Sequence, residues 1–278
     1  MQINWFPGHM KKSVDEIQKQ LPLIDLCCEI VDARIPQSGA NQLLRKITRE
    51  KPLLTILNKS DLAEEKETAA WVSHLKQSKQ MAIAFNAQTD RKYAEVLRAA
   101  RSLTEEQLTR RREKGVIKQE IRMLVFGIPN SGKSTWINAM AGRRSAKVGN
   151  RPGITKQKQW IKSGELLLLD TPGILWPKLE ERQALHLAYT GAIRDEVLDI
   201  RELALSLLND LLQLDAARVY DRYGVSGTDP AALLQEIGRK TGALQRGGRI
   251  DEERAARTLL DDFRKTRLGR LTLERVQR

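Results

Sequence analysis

Cysteine is almost missing from this 278-residue chain: it has two, Cys27 and Cys28, adjacent in one apolar run. Neighbouring cysteines cannot set up a framework of bridges, so a disulfide-stapled secreted scaffold is excluded and the pair reads as small strand residues kept reduced. No apolar run approaches the roughly 18 residues needed to cross a bilayer, and the N-terminus lacks the charged-then-apolar pattern of a signal peptide. The chain is therefore expected to be cytoplasmic, with no membrane partner. Internal repeats, low-complexity tracts and metal-ligand clusters are missing as well.

Acidic residues are short in one region only. The formal net charge is +13; residues 1–175 carry 30 Lys and Arg against 18 Asp and Glu, whereas residues 176–278 carry 18 against 17. Within 143–162 there are seven basic residues (Arg143, Arg144, Lys147, Arg151, Lys156, Lys158, Lys162) and no acidic one. Such a stripe suits a polyanion, because phosphate backbones attract basic runs without any sequence readout. A second cluster, Arg110, Arg111, Arg112, Lys114, Lys118 and Arg122, reads either as a solvated face or as an anion contact.

What is present starts with a loop. The strand-like run 121–126 leads into Gly127-Ile128-Pro129-Asn130-Ser131-Gly132-Lys133-Ser134-Thr135, which fits G-x-x-x-x-G-K-[ST], and a helical run to 141 follows. Strand, loop and helix in that order make a phosphate-binding loop. Its glycines let backbone N–H groups turn inward around phosphate oxygens, Lys133 reaches the β and γ phosphates, and Ser134 offers a hydroxyl to Mg²⁺. A second anchor, Asp170-Thr171-Pro172-Gly173, follows the apolar run 165–169. A carboxylate at that strand end suits the Mg²⁺ site of a nucleoside triphosphatase: Asp170 would hold the metal through water, and the Gly173 amide would sense the γ-phosphate. Between the anchors, in Arg151-Pro152-Gly153-Ile154-Thr155, Thr155 is placed to supply a second metal-bound hydroxyl.

The base is read elsewhere. Asn58-Lys59-Ser60-Asp61 ends the apolar run 53–57. N-K-x-D is a guanine-reading pattern: the carboxylate accepts from two guanine N–H donors, a pair that adenine lacks, with the Asn and the Lys stem alongside. Alone, this tetrapeptide would serve equally as a helix cap or a turn. Beside a phosphate loop it points to GTP. Its position is unusual, because in ordinary GTPases the base-reading motif follows the phosphate loop and D-x-P-G, and here it precedes the loop by about seventy residues.

The chain resembles a circularly permuted GTPase. More narrowly, Trp5-Phe6-Pro7-Gly8-His9-Met10, Asp32-Ala33-Arg34-Ile35-Pro36, the N-K-S-D motif, the phosphate loop, the 151–155 segment and Asp170-Thr171-Pro172-Gly173-Ile174-Leu175-Trp176-Pro177 are similar to the bacterial ribosome biogenesis GTPase A family, over nearly the whole length. The resemblance implies a Mg²⁺-dependent hydrolase of GTP that also binds GDP. It implies a late precursor of the large ribosomal subunit, with its rRNA and ribosomal proteins, as partner, left on hydrolysis by a chain acting as a monomer. One segment departs from the family's Ser-Ala pattern: the matching stretch is Phe85-Asn86-Ala87-Gln88-Thr89-Asp90, where the amide of Ala87 or of Gln88 would contact the base. Asn130 stands where similar GTPases often hold K⁺ near the phosphates; a loop-shaping hydrogen bond is the alternative.

The attacking water lacks its usual partner, since Ile174 follows Gly173 where many GTPases carry Gln. Of the three histidines, His74 and His186 read as structural or surface residues. His9 follows Pro7-Gly8 in an arm that a partner could order over the nucleotide, and the resemblance favours it as the group that orients water. The alternative is a hydrogen bond that pins the arm. Catalysis would then rest on Lys133, His9 and Asn130. An RNA-binding scaffold with little turnover and a P-loop ATPase are the competing functions.

Strands at 23–31, 52–57, 81–85, 121–126 and 165–169 alternate with helices at 11–21, 41–50, 64–79 and 91–114. This predicts an α/β fold with a mainly parallel sheet and ligand loops at the carboxyl ends of its strands. Beyond Pro177 the pattern is helical: 180–192, 197–214, 216–223, 230–241 and 251–264, with glycine turns between. The expected division is a circularly permuted P-loop GTPase domain at 1–178 and a smaller all-helical, RNA-binding domain at 179–278. Its basic end, 264–278, reads as a solvated tail or as an RNA contact.

Overall fold

Runs of Leu, Ile and Val form the strands of one sheet, seen in a computed structural model that describes residues 8–76, 79–116, 119–142, 159–176 and 179–276, with side chains from Val14 onward except Gln159. Thr155, the arm 1–7, the basic run as far as 158, Lys118 and Pro177 lie outside the described residues. The strands are β1 Leu26–Asp32, β2 Leu53–Asn58, β3 Gln80–Phe85, β4 Ile121–Gly127, β5 Gln159–Ser163 and β6 Leu166–Asp170. They hydrogen-bond in the order β3-β2-β1-β4-β6-β5. All pairs are parallel except β5 with β6.

β1 and β2 are buried at every residue, as continuous apolar runs require when helices cover both faces. On one face Cys28, Ile30, Leu54 and Ile56 pack under α4 (Tyr93–Glu113) and α5 (Lys133–Ala141). On the other, Cys27, Leu53 and Phe126 meet Ile17 of α1 (Gly8–Gln20) and Leu44 of α2 (Gln42–Ile47). Trp71 of α3 (Glu65–His74) packs with Val31 and Leu57. Burial pushes the Cys27 thiol up to about 12, so it stays an inert apolar filler.

The sequence reading missed β5. It is five residues long, with Ile161 buried while Trp160 is 38% exposed, an alternation too brief to stand out. Gly164, at φ 56°, turns the chain back into β6. The first helix also starts earlier than expected, so His9 and Met10 have helical backbone instead of belonging to an arm. Proline is favoured near helix starts as well as in loops, so a Pro-Gly pair ahead of a helical run does not by itself mark an arm.

The remaining helices are α6 Glu181–Tyr189, α7 Ile200–Tyr223, α8 Pro230–Thr241 and α9 Glu252–Arg264. α7 breaks at Asp215 (φ −166°, ψ 85°), between the two stretches expected at 197–214 and 216–223. Their shared core of Leu203, Leu207, Leu211, Leu233, Ile237, Leu259 and Phe263 also takes in Ile35, Ile128, Leu175 and Trp176 from the loops of the sheet. The end of the chain is not a solvated tail. Leu268, Leu271 and Leu273 are buried, and Arg264 donates to the carbonyls of Ala188 and Tyr189 and pairs with Asp195. A leucine at every second or third position supplies the apolar surface that a basic-residue count overlooks.

Candidate nucleotide site

A parallel ladder brings the carboxyl ends of β1, β2, β3, β4 and β6 to one edge of the sheet, and the sequence motifs sit in the loops that leave them. Asn58, the last residue of β2, is buried. Its Nδ2 donates to the Ser131 carbonyl (2.9 Å) and its Oδ1 accepts from the Ala87 N–H (3.2 Å), so one side chain joins three loops. The Lys59 Nζ donates to the Asn130 carbonyl (2.6 Å) and to Asp32 Oδ2 (3.0 Å).

Lys59 and Asn130 have φ of 57° and 59°, a left-handed conformation that costs side-chain-bearing residues energy and persists where surrounding contacts enforce it. The Asp32 carboxylate also takes Arg34 Nε (3.0 Å) and Nη2 (2.8 Å). Burial alone would raise the Asp32 carboxyl, but the Arg34 guanidinium and the Lys59 ammonium overcome that and hold it far below the carboxylate range. Burial pulls Lys59 down, with Asp32 opposing. Sequence reasoning quoted Asp32 and Arg34 only as part of a resemblance and gave them no role; a carboxylate two residues before a guanidinium was the available signal.

Asp61 differs from its neighbours. It is half-buried, and among the described residues its carboxylate has no hydrogen-bond partner. The two candidate base-contacting amides are both in use: Ala87 N–H on Asn58, and Gln88 N–H on its neighbour Asn86 Oδ1 (3.0 Å). The first bond spans 29 residues and holds the site together. The second is a local turn that can exchange partners.

In the phosphate loop, Gly132 has φ 87°, and a Cβ there would collide with Asn58 Nδ2. At Gly173 a Cβ would lie 3.0 Å from Pro129 N, so a side chain there would push the two loops apart by a few tenths of an ångström. The Ser131 hydroxyl is buried without a hydrogen-bond partner among the described residues, and Asn130 Nδ2 donates to the Gly191 carbonyl (2.6 Å) in the turn after α6. The latter is the loop-shaping hydrogen bond that was one of two expectations for Asn130. Ser134 and Thr135 lie in the first turn of α5.

Lys133 is 6% exposed and paired with the Asp170 carboxylate, itself 3% exposed. Burial lowers the Lys133 ammonium, and Asp170 resists the shift. Thr171 Oγ1 donates to the Val125 carbonyl (2.8 Å), which fixes the D-x-P-G turn to the strand of the phosphate loop. Ile174 is packed with Ile17 and Phe126.

A tightly turned glycine cradle, an orphaned buried hydroxyl and a charged lysine fit a phosphate chain, and the Ser134 hydroxyl with the Asp170 carboxylate is a hard-oxygen donor set suited to Mg²⁺. Among the described residues no group of three or more His, Cys, Asp or Glu could hold a metal, and no helix is long and apolar enough to cross a membrane. His186 is buried with Nδ1 2.8 Å from Glu274 Oε1, and His74 is exposed, edge-on to Trp71 at 5.4 Å, so the structural and surface roles expected of these two hold. In the second basic cluster Arg111 pairs with the buried Asp25, while Arg110 pairs with Glu106 on an exposed face of α4.

Residues 122–224 match the family model of 50S ribosome-binding GTPases. The match begins at β4 and leaves N-K-S-D outside, as a permuted order entails. The chain is 41% identical to Ribosome biogenesis GTPase A of Bacillus cereus, across 99% of this chain and 94% of that protein. It is 32% identical to Mitochondrial ribosome-associated GTPase 1 of Bos taurus, across 98% and 88%. Its fold is similar to that of GNP-bound YlqF from T. maritima, with a TM-score of 0.65 and 26% identity over 95% of this chain and 98% of that one. Identity at this level along both full lengths, on a sheet whose Asn58-Lys59-Ser60-Asp61 loop precedes its phosphate loop, establishes that the chain belongs to the ribosome biogenesis GTPase A family and is a circularly permuted GTPase.

Proposed function

We propose that this GTPase is an assembly factor that binds a late precursor of the large ribosomal subunit and leaves it when GTP is hydrolysed. The observation that carries the reading is continuity: directly after Gly173, Leu175 and Trp176 are buried in the core of the helical unit. A change sensed at Gly173 therefore has no slack linker in which to dissipate. The basic excess of residues 1–175 suits rRNA, and we assign the helical unit, 179–278, to rRNA and ribosomal protein contact. A ribosomal partner makes the site of action cytoplasmic, and the chain is taken to act as a monomer.

In this reading Asn58, Lys59 and Asp61 select guanine with an amide of the 86–88 turn, Gln88 being the better placed. The amides of 129–135 and Lys133 hold the phosphates. Ser134, Thr155 and Asp170 hold Mg²⁺, which when bound offsets charge on the β and γ oxygens. With GTP bound, Lys133 would turn from Asp170 to the phosphates, and the Asp170 carboxylate would be left to hold Mg²⁺. The Gly173 amide reports whether the γ-phosphate is present.

The test is retention on isolated subunit precursors. The protein should remain bound with a non-hydrolysable GTP analogue and be released with GDP; equal retention with both would favour a scaffold without a nucleotide cycle. His9, in the first turn of α1, is assigned to orient the attacking water once the particle brings α1 over the nucleotide. His9→Ala is expected to leave GTP affinity unchanged and to remove about 90% or more of subunit-stimulated phosphate release, within the range of acid-base contributions. Parent-like stimulated rates would leave His9 a pin for the helix.

Asn130 carries the potassium assignment through the carbonyl oxygen of the amide whose nitrogen is tied to Gly191. Exchanging K⁺ for Na⁺ should then slow hydrolysis by about tenfold, the scale of one lost charge-stabilising contact. Equal rates in the two salts would reduce Asn130 to a loop-shaping residue.

A further inference from the structure

The end of the chain fastens a loop more than 200 residues away. Past Ser60, whose N–H still reaches the Phe85 carbonyl (3.2 Å), the base-reading turn has no further hydrogen bond to the sheet among the described residues. Residues 271–274 take over. Leu271 N–H donates to the Leu62 carbonyl (3.2 Å), and the Glu64 N–H, a donor just ahead of α3, is accepted by Thr272 Oγ1 (3.0 Å). Glu64 returns the bond, its Oε2 taking the Thr272 N–H (3.3 Å).

Leu273 N–H donates to the Arg34 carbonyl (2.9 Å). The Glu274 carboxylate accepts from the N–H groups of Gln37 (2.6 Å) and Ser38 (3.0 Å), and its carbonyl accepts from Trp71 Nε1 (2.9 Å). Thr272 is 1% exposed. The segment therefore grips the base-reading loop on both sides: after Asp61, at Leu62 and Glu64, and behind Lys59, through Arg34 and Asp32.

We propose that residues 271–274 are positioning residues for guanine recognition, holding Asp61 and Lys59 where the base meets them, so that the C-terminal segment governs how fast nucleotide leaves. The proposal rests on the reading of Asn58-Lys59-Ser60-Asp61 as the guanine loop. A bidentate contact from Asp61 to two donors on one base edge tolerates displacements of only about half an ångström, and the residues that follow Asp61 set its backbone. The segment belongs to the helical unit, and strain applied there by a bound particle would reach the base without crossing the phosphate loop.

The experiment is dissociation of a fluorescent GDP from the full chain. Thr272→Val keeps the volume and removes the acceptor of the Glu64 N–H. It should speed GDP release and raise the KM for GTP by about fivefold, the scale of one hydrogen bond, with kcat at saturating GTP retained. Thr272→Ser should restore parent values. Combined with Asp61→Asn, Thr272→Val should speed release of xanthosine diphosphate by a similar factor. Parent-like release and KM in Thr272→Val, with a lowered melting temperature, would overturn the proposal and leave the segment merely structural. If that variant does not fold, Glu274→Gln decides: faster GDP release supports the positioning role, and a parent rate overturns it. Failure of Asp61→Asn alone to shift base preference would instead remove the guanine reading beneath it.

Discussion

Lys133→Ala is expected to abolish GTP hydrolysis, by about a thousandfold or more, and also to lower the melting temperature of the nucleotide-free protein. The first effect follows from charge. The ammonium is the one side-chain cation of the G-x-x-x-x-G-K-S loop, and without it the charge building on the transferring phosphoryl group loses its counterpart. The second follows from the pair that this lysine makes with Asp170, both groups being almost wholly buried.

Removing one partner of a buried ion pair strands the other, at about 3–5 kcal/mol unless the carboxylate takes a proton or water enters. Asp170→Asn added to Lys133→Ala should therefore recover stability while recovering no activity. Single-turnover phosphate release and thermal melts without nucleotide read the two effects separately. Turnover within a few-fold of the parent would mean that the phosphate loop is misassigned; an unchanged melt would mean that the Lys133–Asp170 pair is not formed in solution.

Asp61→Asn should weaken GTP binding by about a hundredfold, the scale of two charge-assisted hydrogen bonds, and strengthen binding of xanthosine triphosphate. A carboxylate offers two acceptors to the two N–H donors of guanine. An amide offers one acceptor and one donor, and the donor suits the extra carbonyl of xanthine. The structure makes this a clean substitution. Asn58 and Lys59 are bonded into the phosphate loop, so changing either disturbs the loop itself, whereas Asp61 has no hydrogen-bond partner among the described residues. Competition binding with the four common nucleoside triphosphates and xanthosine triphosphate is the measurement, and an unaltered preference would discard the guanine assignment.

The motif loops were legible in the sequence because their chemistry is local. A glycine-rich turn, a lysine and a hydroxyl must stand at fixed spacing to surround a phosphate, and β4 and α5 bracket them as apolar periodicity predicts. The break of α7 at Asp215 falls between the two helical runs expected at 197–214 and 216–223. What was not legible depends on partners far away. Thr272 meets Glu64 across 208 residues, and neither residue type at either position signals the other. The end of the chain thus read as a basic tail, since charge is visible in composition and the burial of Leu271 and Leu273 is a property of what they land on. β5 escaped notice because an edge strand needs only one neighbour and carries half the apolar pattern of a central one.

The strand order has a consequence for synthesis. β1 lies between β2 and β4, and translation delivers β1, β2 and β3 first, leaving the β1 edge open until residues 121–127 emerge. The Asn58-Lys59-Ser60-Asp61 loop is therefore made before the phosphate loop, and the segment that clasps it, 271–274, follows more than 200 residues later. Cellular GTP stabilises only a chain that can bind it, so the nucleotide gives no help to the growing N-terminal half. That half must begin folding on its own apolar contacts, and nucleotide capture waits for the phosphate loop and for the segment that holds the Asn58-Lys59-Ser60-Asp61 loop.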